Sequence, residues 1–253
     1  MKTKFKNKGF SLTEVLMAAG ILCIGIMLVA TMFPVGIYLT TVASERTMAS
    51  IVADEAFAKI QLYGIKTSID SNNLCLRYED IVGTFDSNES SYPSVDPTTN
   101  IRQYYWSAMC KRIDLNANDT RYLVTVFVSR KTSPTLKYPR FYSAASSRPV
   151  TVQAYVSTVT EDANKLEVKD ALLEPKKSLQ KLFPPAAIID NATGQLYRVI
   201  ERDEDTTITL DRKWEGTSTS PYIWFMSPPE DEKGTEIVGK NPDVEVFQRI
   251  IRF

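Results

Sequence analysis

The chain has 253 residues, 30 basic and 30 acidic side chains, and no histidine. A net charge of zero gives no global field to draw the protein to nucleic acid. The missing histidine removes Ser–His–Asp and Cys–His catalysis and the commonest metal ligand. The length allows one or two domains.

The N-terminus carries four lysines, Lys2, Lys4, Lys6 and Lys8, followed by Gly9-Phe10-Ser11-Leu12-Thr13-Glu14-Val15. From Val15 to Ser44 no side chain is charged, and the stretch from about residue 15 to 39 is mostly apolar. A helix crosses a bilayer with roughly 20 apolar residues, so this run is long enough. The lysines predict a cytoplasmic N-terminus, with the rest of the chain crossing the membrane. Glu14 is the odd residue. A carboxylate costs roughly 2.5–3.5 kcal/mol at the centre of a membrane helix and less near the interface. At a helix N-terminus it is also favoured by the dipole.

The lysine-rich leader, the Gly9–Phe10 step and the glutamate five places into the remaining chain, all abutting an apolar helix, resemble the cleavage and methylation site of type IV pilins and type II secretion pseudopilins. The resemblance covers about the first 55 residues. It implies that a prepilin peptidase cuts between Gly9 and Phe10, removes residues 1–9 as a leader, and methylates the new amine of Phe10. It implies assembly through Glu14, which meets the Phe10 amine of a neighbouring subunit; opposite charges in a low-dielectric setting select register, although desolvation offsets much of the gain. The implied partners are the peptidase, other pilin or pseudopilin subunits, the inner-membrane assembly platform and the lipid bilayer. The implied place is the bacterial inner membrane, single-pass, with the C-terminal head in the periplasm or outside. A secretory signal peptide differs, because its short apolar region precedes the cut and is lost.

Pro34 predicts a kink. Beyond Ser44 helical spacing continues to Gln61, with Ala49, Ile51, Ala53, Ala56, Phe57, Ala58 and Ile60 on one stripe. Gly64 reads as a stop, so residues 10–64 are expected to form one long helix. Residues 65–100 are polar and read as loop with one short element near Leu74–Val82. Ile101–Ile113 and Arg121–Arg130 read as a β-hairpin. In its turn, Asp114, Asn116, Asn118 and Asp119 offer oxygen ligands for calcium. The glycine and distal glutamate of an EF-hand are absent, and Asx-rich turns also satisfy their own backbone. Residues 132–149 read as a loop and Val150–Val159 as a strand; Thr160–Lys181 reads as a linker or short helix.

From residue 182 the pattern predicts a second β-rich unit. Ala186–Asp190 is a strand and Asn191–Gly194 a turn. Gln195–Glu201 is the next strand, Arg202–Asp205 turns, Thr206–Arg212 follows, and Tyr222–Met226 closes a small meander. The acidic run Glu201, Asp203, Glu204 and Asp205 reads as a solvated turn rather than a catalytic site. Val244–Phe253 is a last strand or a tail that pairs with a neighbour's edge. Cys75 and Cys110 lie beyond the membrane run, where disulfides are permitted. A bridge closing a loop of about 35 residues is worth roughly 3–4 kcal/mol; two unpaired buried thiols are the alternative.

The expected fold is α+β, a long N-terminal transmembrane and amphipathic helix followed by a β-rich antiparallel head, divided into 65–181 and 182–253. The expected role is that of a minor pilin or pseudopilin, structural rather than enzymatic, with no cofactor. A DNA-uptake or adhesive pilin is the alternative inside the family. A membrane-anchored periplasmic protein or enzyme, and a scaffold module that joins no filament, are the alternatives outside it.

Overall fold

The computed structural model describes residues 9, 11–65, 74–83, 85–93, 103–114, 119–131, 133, 135–140, 143–159, 164–169, 184, 186–203, 207–216, 221–231 and 241–253. The chain divides into two compact units, residues 1–47 and 48–253. A single helix, α1 (Leu12–Tyr63), begins in the first and ends in the second.

The first unit is the apolar part of α1. Its large side chains stand exposed, among them Leu16, Ile21, Leu28, Phe33 and Leu39. The helix is long and apolar enough to cross a membrane. It runs without interruption through Pro34; since proline has no N–H, the Ala30 carbonyl loses its helical donor there. The hydroxyls of Thr31, Thr40 and Thr41 donate to the carbonyls of Leu28, Gly36 and Ile37 at 2.8–2.9 Å. That internal bonding is how polar residues sit in an apolar helix without orphaned donors.

In the second unit α1 turns amphipathic. Ala49, Val52, Ala53, Ala56, Phe57 and Ile60 are buried, and the three large ones contribute roughly 1.5–3 kcal/mol each. Gly64 ends the helix at φ +69°, its N–H donating to the Ile60 carbonyl at 3.0 Å. The buried stripe lies on an antiparallel sheet. Strand β1 (Leu76–Arg77) leads into a one-turn helix, α2 (Tyr78–Ile81), and β2 (Ser91–Tyr92) follows. Both short strands pair with β3 (Tyr104–Arg112), which pairs with β4 (Arg121–Arg130). The predicted hairpin is therefore present.

Seven of the remaining strands continue the chain. They are β5 (Tyr138–Arg140), β6 (Ser143–Ser146), β7 (Thr151–Val159), β8 (Lys165–Lys169), β9 (Ala186–Asp190), β10 (Leu196–Asp203) and β11 (Thr207–Leu210). Then come β12 (Tyr222–Met226) and β13 (Asp243–Arg252). β5 and β6 form a two-stranded ribbon, in a stretch expected to be loop. The order β10-β11-β8-β7-β12-β9 closes into a barrel. Val152, Ala154, Leu166, Ile188, Val199, Ile223 and Phe225 fill it. Register shifts at Val156/Thr158 and Val199/Glu201 supply the bends that closure needs.

Several expectations are corrected here. The sheets do not divide at residue 181. β7 and β8 belong to the barrel, whereas β13 pairs along its length with β4 in the first sheet. The segment expected to be a linker or helix contains β8, whose Leu166 and Val168 alternate into the barrel. The chain still runs as strand at Arg202 and Asp203, where a turn was expected. Glu204, Asp205 and most of residues 170–185 lie outside the described residues. The expected meander is a closed barrel, because β7 and β8 supply the two strands that join its edges.

The first sheet is a shared layer. Trp106, Ala108, Cys110, Val124, Val126 and Val128 face α1. Met109 and Phe127 face the other way, packed with Ala187, Ile189 and Met226 of the barrel. Pleating sends alternate side chains to opposite faces. With both faces covered, Trp106–Lys111 and Val124–Ser129 are buried without a break.

Candidate functional site

Two regions bear on function: the head of α1, and the surfaces and joints of the β-rich unit. At the head, Glu14 N and Val15 N donate to the Ser11 carbonyl at 3.0 and 3.2 Å, so Ser11 is the residue on which the first turn closes. The Ser11 and Thr13 hydroxyls share a hydrogen bond of 2.7 Å. Glu14 lies in the first turn and is exposed. Its carboxylate stands where the free N–H groups and the dipole favour negative charge. Ser11-Leu12-Thr13-Glu14 also matches the Ser-x-x-Glu pattern of helix starts, a signal missed in the sequence. Gly9 is exposed, with open space around its Cα. Phe10 and the lysine leader lie outside the described residues.

The amphipathic end of α1 is stitched to the sheet by charge. Arg249 of β13 donates to Asp54 at 2.7 Å and lies 4.7 Å above the Phe57 ring. Lys59 pairs with Glu55 at 2.9 Å and Glu89 at 3.0 Å. Lys59 also donates to the Glu89 carbonyl at 2.8 Å, so a nearly buried ammonium has several acceptors. Arg148, buried just before β7, pairs with Glu79 of α2.

The barrel docks on the sheet through the turn after β9. Asp190 accepts from Thr193 N at 2.9 Å, and Gly194 N donates back to the Asp190 carbonyl at 2.9 Å. Gln248 of β13 reaches across to the Gly194 carbonyl at 2.9 Å and Thr125 at 2.8 Å. Trp224 donates to Asn191 Oδ1 at 2.7 Å. Burial holds Lys111 below the usual lysine range, with Cys75 and Asp190 pulling the other way.

Cys75 and Cys110 are free thiols, both buried. Cys75 lies in the cluster between sheet and barrel, and Cys110 in the cluster under α1. The two side chains thus leave the sheet on opposite faces, so that of the two alternatives the sequence left open the structure has the unpaired buried thiols. Burial pushes the Cys75 thiol up to about 12 and raises Cys110 too. Such thiols are inert at neutral pH.

Of the candidate calcium ligands, Asn116 and Asn118 lie outside the described residues. Asp119 is committed to Arg121 through carboxylate contacts of 2.7–3.1 Å, which bring its pKa down to about 2. Asp114 lies in the field of the same arginine. Among the described residues no group of three or more Cys, Asp or Glu side chains is placed to hold a metal ion.

One further carboxyl was not singled out in the sequence. Asp243, at the start of β13, has its Oδ1 buried with no hydrogen-bond partner. Burial, then the charge of Glu245, raise its pKa to about 8, with Arg198 opposing them. Comparison of the chain with protein-family models, curated proteins and solved structures finds no match.

Proposed function

We propose that this protein is a minor pilin or pseudopilin, a membrane-anchored structural subunit of a type IV pilus or type II secretion pseudopilus. The observation that carries the proposal is the order Lys8-Gly9-Phe10-Ser11-Leu12-Thr13-Glu14-Val15 set directly against an exposed apolar helix. Glu14 in the first turn supports it, as does an α1 whose later turns pack on an antiparallel sheet. In this reading a prepilin peptidase cuts after Gly9 and methylates Phe10. The processed subunit waits in the inner membrane with its head on the far side. Glu14 then pairs with the Phe10 amine of a neighbour as helices bundle. The protein performs no bond chemistry; its apolar helix supplies association and its charged pair supplies axial register. A large β-rich head with a barrel suits a low-copy subunit.

The test is intact mass and N-terminal sequencing of the protein from its native host. A mature chain beginning at methylated Phe10, with Gly9→Ala blocking the cut, is expected. Glu14→Ala is expected to be processed normally yet fail to enter filaments. An intact leader, or a cut beyond the apolar run, refutes the proposal and leaves an anchored or secreted protein.

A further inference from the structure

The turn that starts β13 holds a carboxyl whose polar needs are unmet. Asp243 and Asn241 each reach the surface in part, yet Asp243 Oδ1 and Asn241 Nδ2 lie inside with no hydrogen-bond partner. One is an acceptor without a donor and the other a donor without an acceptor, two residues apart. Two other bonds hold the turn. Asn241 Oδ1 accepts from Asp243 N at 3.0 Å, and the Pro242 carbonyl accepts from Arg130 N at 2.9 Å. A carboxylate oxygen buried without a donor favours the neutral acid, because the ion forfeits its hydration and receives nothing in return. The raised pKa of Asp243 agrees with that geometry.

The charges that act on Asp243 come from two elements. Glu245 on its own strand opposes ionisation, and Arg198 on β10 favours it. Arg198 is already paired with Glu245 at 3.0 Å, which ties β13 of the sheet to β10 of the barrel. Across the ladder on β4 stands Ser129, neutral and fully buried, followed by Arg130. This is also the one irregular place in the pairing of β13 with β4. The register shifts between Asp243 and Glu245, leaving Val244 without a partner on β4, and is regular from Glu245 onward. A bulge interrupts the ladder, so the residues before it can part from β4 without the rest following.

We propose that the start of β13 is a proton-operated clasp: while the Asp243 carboxyl holds its proton, residues 241–245 stay on β4, and when it ionises they let go and release one tie between sheet and barrel. Ionised, Oδ1 needs a donor, and the turn must rearrange to supply the Asn241 amide or water. Rearrangement gives up the Asn241–Asp243 bond and the Arg130–Pro242 bond together. The two states differ by one bound proton, so the clasp is closed in acid and opens as pH rises toward 8. The device is independent of the system that holds the anchor.

The test is amide hydrogen exchange, resolved to single residues, on the full chain in detergent micelles from about pH 5 to about pH 9. The Arg130 amide, which is bonded to Pro242, reports the clasp; the amides of Val124 and Val126 in the middle of β4 report global unfolding. Corrected for intrinsic rates, protection at Arg130 is expected to fall about tenfold per pH unit and to level near pH 8. Low urea is expected to leave it unchanged, because a local opening exposes little surface. Asp243→Asn, which cannot ionise, is expected to make Arg130 protection independent of pH. Should that variant fold poorly, Arg198→Gln serves instead: it removes the charge that favours ionisation and is expected to move the levelling point to higher pH. Flat protection at Arg130 in the wild type, urea dependence as steep as at Val124 and Val126, an unchanged slope in Asp243→Asn, or a levelling point that Arg198→Gln leaves in place overturns the proposal.

Discussion

Gly64 and Gly194 share a left-handed backbone, at φ +69° and +75°, but not a neighbourhood. A side chain in that conformation costs roughly 1–2 kcal/mol. At Gly64 an added Cβ meets nothing within 4 Å, so Gly64→Ala is expected to cost only that. At Gly194 the Cβ lies 2.9 Å from Lys111 Cδ and 3.1 Å from Leu123 Cδ2, with Cys75 Sγ at 3.6 Å. Lys111 is itself buried, so its stem has little room to withdraw. Overpacking of this kind adds roughly 1–3 kcal/mol, giving about 2–5 kcal/mol for Gly194→Ala. The assay is denaturant unfolding followed by the fluorescence of Trp106, Trp214 and Trp224, all in the β-rich unit. Trimming the obstacle in the same background, Lys111→Ala, is expected to recover part of the loss, with a coupling of about 0.5–3 kcal/mol. Equal costs at the two glycines would refute the claim that the barrel is held against the sheet at this turn.

Two further outcomes follow from charges. Asp243 is raised in the folded state, so the folded protein holds a proton there that the unfolded chain has lost. Its contribution is intact below about pH 4 and is lost as pH rises toward 8, with an upper bound of roughly 5 kcal/mol; Asp243→Asn should flatten the stability profile across that window, and an unchanged profile counts against the assignment. Glu79→Ala leaves the Arg148 guanidinium buried without its carboxylate, at a cost of about 3 kcal/mol. Adding Arg148→Met should restore most of that in a guanidinium titration, and a neutral Glu79→Ala would show that the pair is solvated.

The long helix was legible because one run is uncharged for thirty residues (Val15–Ser44) and the next keeps an apolar stripe. The β3–β4 hairpin was legible because Tyr, Trp, Val and Phe crowd both arms around a polar turn. The assignment of strands to layers was not. Val244, Val246 and Ile250 alternate in the same way whichever sheet takes them, and pairing with β4 is a contact across more than about a hundred residues. β8 was hidden for a similar reason, since Leu166 and Val168 are too few among charged neighbours to fix a period. The cysteines show a third limit. Their separation in sequence permits a bridge, but pleat parity, visible only once β1 is registered against β3 at Leu76 and Cys110, sends them apart. At the head of the helix, by contrast, the Ser11-Leu12-Thr13-Glu14 start signal depends on neighbours only and was there to be read, though it was missed.

The barrel is an insertion between two strands of the sheet it rests on. β4 ends at Arg130 and its partner β13 begins at Asp243, after every barrel strand. The sheet beneath α1 therefore remains without its last strand until every barrel strand has been synthesised. The pairing of β13 with β4 joins ends separated by every barrel strand, and its closure carries a correspondingly large entropy cost. Truncation anywhere before Asp243 would leave β4 as a bare edge, a form expected to aggregate or be degraded rather than to persist as a shorter protein.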